Sequence, residues 1–156
     1  MEIKVREADD VQLDINTHGI VILPYNYESN RDYTYNSTSI SFYKYAKNIL
    51  DIKYFTEPEL LVEQRSGDWF APILFVSSVA ITQNPELITI ALSVMANYVT
   101  DFFKGKDSPN IRLKVIHKET KTSKLTEIYY EGGLEGLEKL EVSINKVVNQ
   151  GKPDDR

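Results

Sequence analysis

The sequence predicts an α+β fold: an antiparallel sheet, including a C-terminal β-hairpin, packed on a central helix hairpin and an amphipathic C-terminal helix. Three observations carry this. Asn84 to Gly105 is the most apolar stretch and has helical punctuation at both ends. Ile111 to His117 and Leu125 to Tyr130 alternate at the period of a strand about a polar connection of hairpin length. Leu134 to Val148 places Leu137, Leu140, Ile144, Val147 and Val148 on one helical face.

The central helix is read first because the rest must cover it. Asn84 suits the N-cap, Pro85 the first helical position and Glu86 the positive end of the dipole. Lys104 and Gly105 suit the last turn and the left-handed residue beyond it. Glu86, Thr89, Ser93, Asn97, Thr100 and Lys104 form a narrow polar stripe. Leu87, Ile88, Ala91, Leu92, Val94, Met95, Tyr98, Val99 and Phe102 form a broad apolar face. Such breadth needs cover on more than one side, from the domain or from a partner. The apolar run before it, Trp69 to Ile81, is expected to be the first arm of a helix hairpin whose second arm is Pro85 to Lys104, the two joined by a tight turn.

The remaining elements are taken in chain order. Met1 to Arg6 alternates and reads as a strand, as do Val11 to Ile15 and Ile20 to Leu23, with a turn at Thr17-His18-Gly19. Phe42, Ala46 and Ile49 share a helical face after Ile40, although Ser39 to Tyr45 also alternates like a strand. Ile49 to Phe55 reads as a strand that Glu57-Pro58-Glu59 breaks. Leu60 to Glu63 resumes an extended or helical segment, and Ser66-Gly67-Asp68 turns the chain. Lys106 to Asn110 is a linker. The lysines Lys114, Lys118, Lys121 and Lys124 are expected to solubilise a sheet edge. A phosphate-contacting ribbon is the alternative use of those lysines. Residues 1–150 are expected to form a single domain and residues 151–156 a frayed tail.

Composition narrows the chemistry. The 156 residues suffice for one domain with a core, and 42% apolar and 26% charged residues are ordinary for a globular protein. There is no cysteine, which excludes disulfides, thiolate metal sites and cysteine nucleophiles. The net charge is −5, and its acidic excess lies in residues 1–68. No strongly basic region exists, which argues against nucleic acid as a partner. The charged start, MEIKVREADD, lacks the apolar core of a signal peptide, so the expected location is cytoplasmic. Ala71 to Phe103 is apolar enough to raise a membrane-associated reading, but Thr82 to Glu86 interrupts it.

No catalytic, cofactor or metal motif is present. Gly132-Gly133-x-x-Gly136 lacks the lysine of a phosphate loop and reads as a turn. Glu57, Glu59 and Glu63 read as a solvated acidic turn. His18 and His117 sit in a turn and a strand, and the alternative of an enzyme with a dispersed site would be built on His18 or His117 and the acidic turns. Asn36-Ser37-Thr38 matches a glycosylation acceptor, a match without consequence in the cytoplasm. The positive signal is aromatic. Tyr25, Tyr27, Tyr33, Tyr35, Tyr43 and Tyr45 crowd one segment, and Trp69, Tyr98 and Phe102 lie on the predicted hairpin. Tyrosine brings large contact area at low entropic cost, so these nine residues form the candidate interaction surface; half-buried tyrosines edging a small core are the plainer alternative.

The order ITIALSVMANYVTDFFKG, then IRLKVIHKETKTSKLTEIYYEGGLEGLEKL, is an apolar helix, a linker, a β-hairpin with basic residues and an amphipathic helix. This order resembles the effector-associated constant components of bacterial conflict (anti-phage) systems. It covers about half of the chain, and the tyrosine-rich half departs from it. The resemblance implies an adaptor or regulatory role with no catalytic residues. The expected function is therefore a non-enzymatic protein–protein interaction or regulatory module, an accessory of a bacterial defence or phage system, with a protein partner or self-association and no cofactor.

Overall fold

The computed structural model describes residues 1–8, 18–29, 32–63, 68–103, 109–119, 122 and 124–149. These form nine strands and four α-helices of an α+β fold. The strands are β1 Glu2–Ala8, β2 Ile20–Leu23, β3 Thr34–Asn36, β4 Ile52–Tyr54, β5 Leu60–Val62, β6 Asp68–Phe70, β7 Ile73–Ser77, β8 Asn110–Glu119 and β9 Lys124–Gly132. The helices are α1 Thr38–Ala46, α2 Ser78–Gln83, α3 Leu87–Phe102 and α4 Leu137–Asn149, the last entered through a 3-10 turn at Leu134–Gly136.

The main sheet runs in the order β1-β9-β8-β7-β2-β4, with β6 also paired to β8. β8 and β9 form the predicted antiparallel hairpin, and β1 adds antiparallel to β9. The sheet is not antiparallel throughout. β6 and β7 both run parallel to β8, and β2 runs parallel to β4. Parallel neighbours need a crossover, and α2 with α3 supplies it between β7 and β8.

The first arm of the expected helix hairpin is therefore corrected. Trp69 to Ser77 is strand, and only Ser78–Gln83 is helix before the turn into α3. Pro72 has no N–H to give a ladder, so the strand breaks there. Ala71 N–H donates to the Arg112 carbonyl at 2.9 Å, and the chain re-enters as β7. All five residues of β7 are buried. A strand covered on both faces shows a continuous apolar run rather than alternation, which is the pattern that resembles a buried helix. Ser77 then caps α2 by accepting from the Ala80 N–H at 3.1 Å.

One face of the sheet meets the helices. Ile20, Ile22, Leu74, Val76, Ile111, Leu113, Val115, Ile128 and Tyr130 pack with α1, α3 and α4 in the main core. The central helix begins at Leu87, three residues after the expected cap; the Asn84 carbonyl accepts from Leu87 N–H, and Asn84 Oδ1 from Glu86 N–H. Glu86, Thr89, Ser93, Asn97 and Thr100 of its polar stripe are exposed, and its apolar face is buried from Leu87 to Val99. Both sides are covered by this chain: α4 lies on one flank and α1, from the tyrosine-rich half, on the other. Phe102 is the exception and stands 62% exposed.

Smaller corrections have equally local causes. Phe42 and Ala46 are buried in α1 as expected, but Ile49 lies beyond the helix and is exposed, and Leu50 is buried instead. The β8–β9 lysines do not line an edge, because β7 covers β8 and β1 covers β9. Lys124 pairs with Glu7 at 3.2 Å. Gly132 and Gly136 lie against the Tyr130 hydroxyl, so the glycine pattern serves packing. At Gly19 a Cβ would strike the Asp51 carbonyl, the group that receives the Ile20 N–H and starts the β2–β4 pairing. The expected strand at Val11 to Ile15, Thr17, Ser66-Gly67, the Lys104-Gly105 end of α3, the linker through Ser108, Lys121 and the tail lie outside the described residues. Among the described residues no helix is long and apolar enough to cross a membrane.

Candidate functional site

The nine candidate aromatic residues do not form one surface; the structure sorts them into three places. The largest group lies where α1, α3 and β6 meet. Tyr98 of α3 is its hub, edge-on to Phe42 at 5.6 Å and to Tyr45 at 5.4 Å, tilted against Trp69 at 5.5 Å and stacked on Phe102 at 5.5 Å. Phe102 also meets Phe103 at 5.1 Å. Such offset and edge-to-face pairs are the favoured aromatic geometries. The hub is pinned by polar tips: Ser41 Oγ and the Tyr98 hydroxyl lie 2.5 Å apart, and the Tyr45 hydroxyl donates to Asp101 Oδ2 at 3.1 Å. Trp69 and Tyr98 are buried, Tyr45 is half-buried, and the chain of rings emerges at Phe102.

A second group braces β4. Tyr35 and Tyr43 both contact the Tyr54 ring, at 5.6 and 4.5 Å. Tyr35 is fully buried; its hydroxyl donates to the Thr56 carbonyl at 2.8 Å and accepts from the Thr56 N–H at 2.9 Å. Burial pushes the Tyr54 hydroxyl up to about 12, with the Tyr43 ring next in effect. Tyr33 packs edge-on to Phe55 at 5.5 Å. Through Tyr35 this group ties β3 to β4 and the chain just after it.

The third place is the face of the sheet away from the helices, which sequence reasoning missed; Val21, Leu23, Ile73, Phe75, Ile116 and Leu125 form a second buried cluster there with Tyr27, and a charged ladder lies beside it. Strand alternation puts Arg6, Glu127, Tyr129, Glu131, Arg112, Lys114, Asp68 and Phe70 there. Tyr27 reaches over from the loop after β2. That loop is fixed by Asn26, whose Nδ2 donates to the Asp32 carbonyl at 3.0 Å while Oδ1 accepts from the Thr34 N–H at 2.8 Å. Glu127 is 5% exposed. Arg6 meets it with two bonds, Nη2 to Oε2 at 2.8 Å and Nε to Oε1 at 3.3 Å, and the Tyr27 hydroxyl donates to Oε2 at 3.3 Å. Lys114 stands 3.8 Å from Oε1. Burial, then the charge of Glu127, pushes the Tyr27 hydroxyl up. Alongside, Arg112 donates to Asp68 at 2.6 Å, lies 3.4 Å from Glu131 and sits over the Phe70 ring at 5.4 Å. A cleft of about 180 Å³ opens between this ladder and Tyr25, lined also by Phe70, Ile73 and Tyr129.

The chemistry of this face is pairing. The buried carboxylate has both oxygens engaged, and the guanidinium groups hold carboxylates. The signal for it lay in Arg112-x-Lys114 and Glu127-x-Tyr129-x-Glu131, which alternate with apolar positions; assigning partners needed the β1 register.

The histidines do not make a pair. Exposed His18 hydrogen-bonds through Nδ1 to Gln83 Oε1. His117 is buried, its Nε2 has no hydrogen-bond partner among the described residues, and burial lowers its basicity. Glu57, Glu59 and Glu63 are exposed, and among the described residues no three acidic or histidine side chains cluster as metal ligands would. Asn36, of the glycosylation match, is buried.

No family model, no curated protein and no solved structure matches this chain.

Proposed function

We propose that this protein is a non-enzymatic interaction module that works by protein–protein contact, in the cytoplasm. One observation carries the reading. Phe102, a large aromatic side chain, is 62% exposed at the end of a ring chain anchored on buried Trp69 and Tyr98. Such a side chain is held in place before any encounter, which lowers the entropy a contact must cost. Half-buried Tyr45 and Phe103 widen the apolar rim beside it. The α3–hairpin–α4 order, with its resemblance to accessory components of bacterial conflict systems, supports an adaptor or regulatory role in a defence or phage operon.

The test is a photo-crosslinking amino acid placed at Phe102 and, as control, at exposed Lys139 of α4. Expression in the native host should give a covalent protein adduct from position 102 and none from position 139. Equal adducts at both sites, or none at either, would overturn the proposal.

A further inference from the structure

A second surface is built into the short parallel pair β3–β5. Ser37 N–H donates to the Val62 carbonyl at 3.0 Å, and Asn36 is opposite Val62 in the register. In a parallel ladder this turns the main-chain groups of Val62, and two residues back those of Leu60, toward β3. The N–H and C=O of Leu61 face the other way. β5 pairs only with β3, so among the described residues that edge is open.

The three residues of β5 itself are all apolar. Leu60 and Leu61 are 50% and 54% exposed. Edges are blunted with charged side chains, proline or short length; β1, the long edge of the main sheet, carries charges along its length in Glu2, Lys4, Arg6 and Glu7, whereas at β5 the charges and Pro58 stand outside the three paired residues. Glu57, Glu59 and Glu63 flank the leucines, all exposed and none ion-paired with a described base. Glu59 and Glu63 lie two residues to either side of Leu61 in the sequence, the spacing of one strand face.

We infer that β5 is a strand-addition site for an extended peptide segment of a partner protein, with an apolar residue opposite Leu61 and lysine or arginine two residues to either side. Leu61 exchanges main-chain bonds with the incoming strand, and the glutamates select the bases. A second copy of this chain is a poor occupant. Antiparallel pairing about Leu61 would set Glu59 of one copy against Glu63 of the other, and like charges directly opposite are unfavourable. The inference rests on the interaction-module reading and names a second contact for it, separate from Phe102.

The probe is the peptide Ac-Ser-Lys-Val-Val-Val-Lys-Ser-amide, with a scrambled control of the same composition that sets both lysines side by side. Peptide binding should slow hydrogen exchange at the Leu61 amide, while the scrambled peptide leaves it unchanged. The Glu59→Lys/Glu63→Lys variant should bind about tenfold more weakly and should bind the peptide with glutamate in place of lysine instead. Equal binding of both peptides, equal binding by the charge-reversed variant, or no protection at Leu61 would overturn the assignment. The Phe102 crosslink is read independently, so failure here leaves the interaction-module reading standing and failure there leaves β5 without a function to serve.

Discussion

At the scale of single residues, the costliest group is Glu127, a carboxylate taken almost wholly out of water. Burying such a charge is unfavourable unless it is paired and hydrogen-bonded, and Arg6 with Tyr27 supplies both conditions. Because the Arg6 side chain is itself 59% exposed, the pair is screened. Arg6→Met should cost about 1–3 kcal/mol by leaving the carboxylate under-partnered. Glu127→Gln in the same chain should recover about half of that. Denaturant titration of the two single variants and the double variant checks this cycle, and strict additivity would contradict it.

His117 gives the fold a sign in pH. Its folded-state value lies below the ordinary 6.5, because burial disfavours the charged form; Glu119 opposes this weakly. The unfolded chain therefore binds a proton that the folded chain refuses. Stability is full above pH 6.5 and falls as the pH drops from there toward the depressed folded value, by at most about 1.4 kcal/mol per pH unit. His117→Phe should flatten that limb in unfolding curves taken between pH 7 and 5. An unchanged slope would place its origin elsewhere.

At the scale of elements, the legible parts were those with one buried face. The β8–β9 hairpin and α4 announce themselves by periods of two and 3.6, because water on the other face enforces alternation. α3 was legible too, from its polar stripe. Trp69 to Ser77 was not, since burial on both faces erases the alternation that separates strand from helix. Two local signals did point to strand: Pro72 inside the run, and Ser77 placed to cap a helix starting at Ser78. The charged face was hidden for a different reason. Arg6 and Glu127 are far apart in sequence, and only the register of β1 on β9 joins them. The aromatic segment was legible as composition but not as placement, because tyrosine serves equally well in a core and at a surface.

The topology has a measurable consequence at this scale. β8 is paired along both edges and packed on α2, so its amides should exchange only in near-global unfolding. Those of β5 and of the outer edge of β1 should exchange fastest among the strands. Native-state hydrogen exchange resolves this ordering. Fast exchange throughout β7, between β8 and β2, would contradict its place in the sheet.

At the scale of the whole molecule, the chain uses its tyrosine-rich half to finish its own core. α1 covers the flank of α3 that α4 leaves, and little of the apolar surface of α3 remains for a partner beyond its C-terminal end. The contact proposed at α3 is thereby confined to a few side chains. Phe102→Asp tests it with small risk to the fold, since substitution of an exposed residue away from core packing usually shifts stability by about 0.5 kcal/mol or less and the ring stacks contribute about 0.5–1.5 kcal/mol. The direct measurement is native mass spectrometry of the protein isolated gently from its own host. The account predicts an assembly heavier than the 17.9 kDa chain for the wild type, and a markedly smaller share of it for Phe102→Asp. A lone wild-type chain, or the same share of assembly from both proteins, would contradict it.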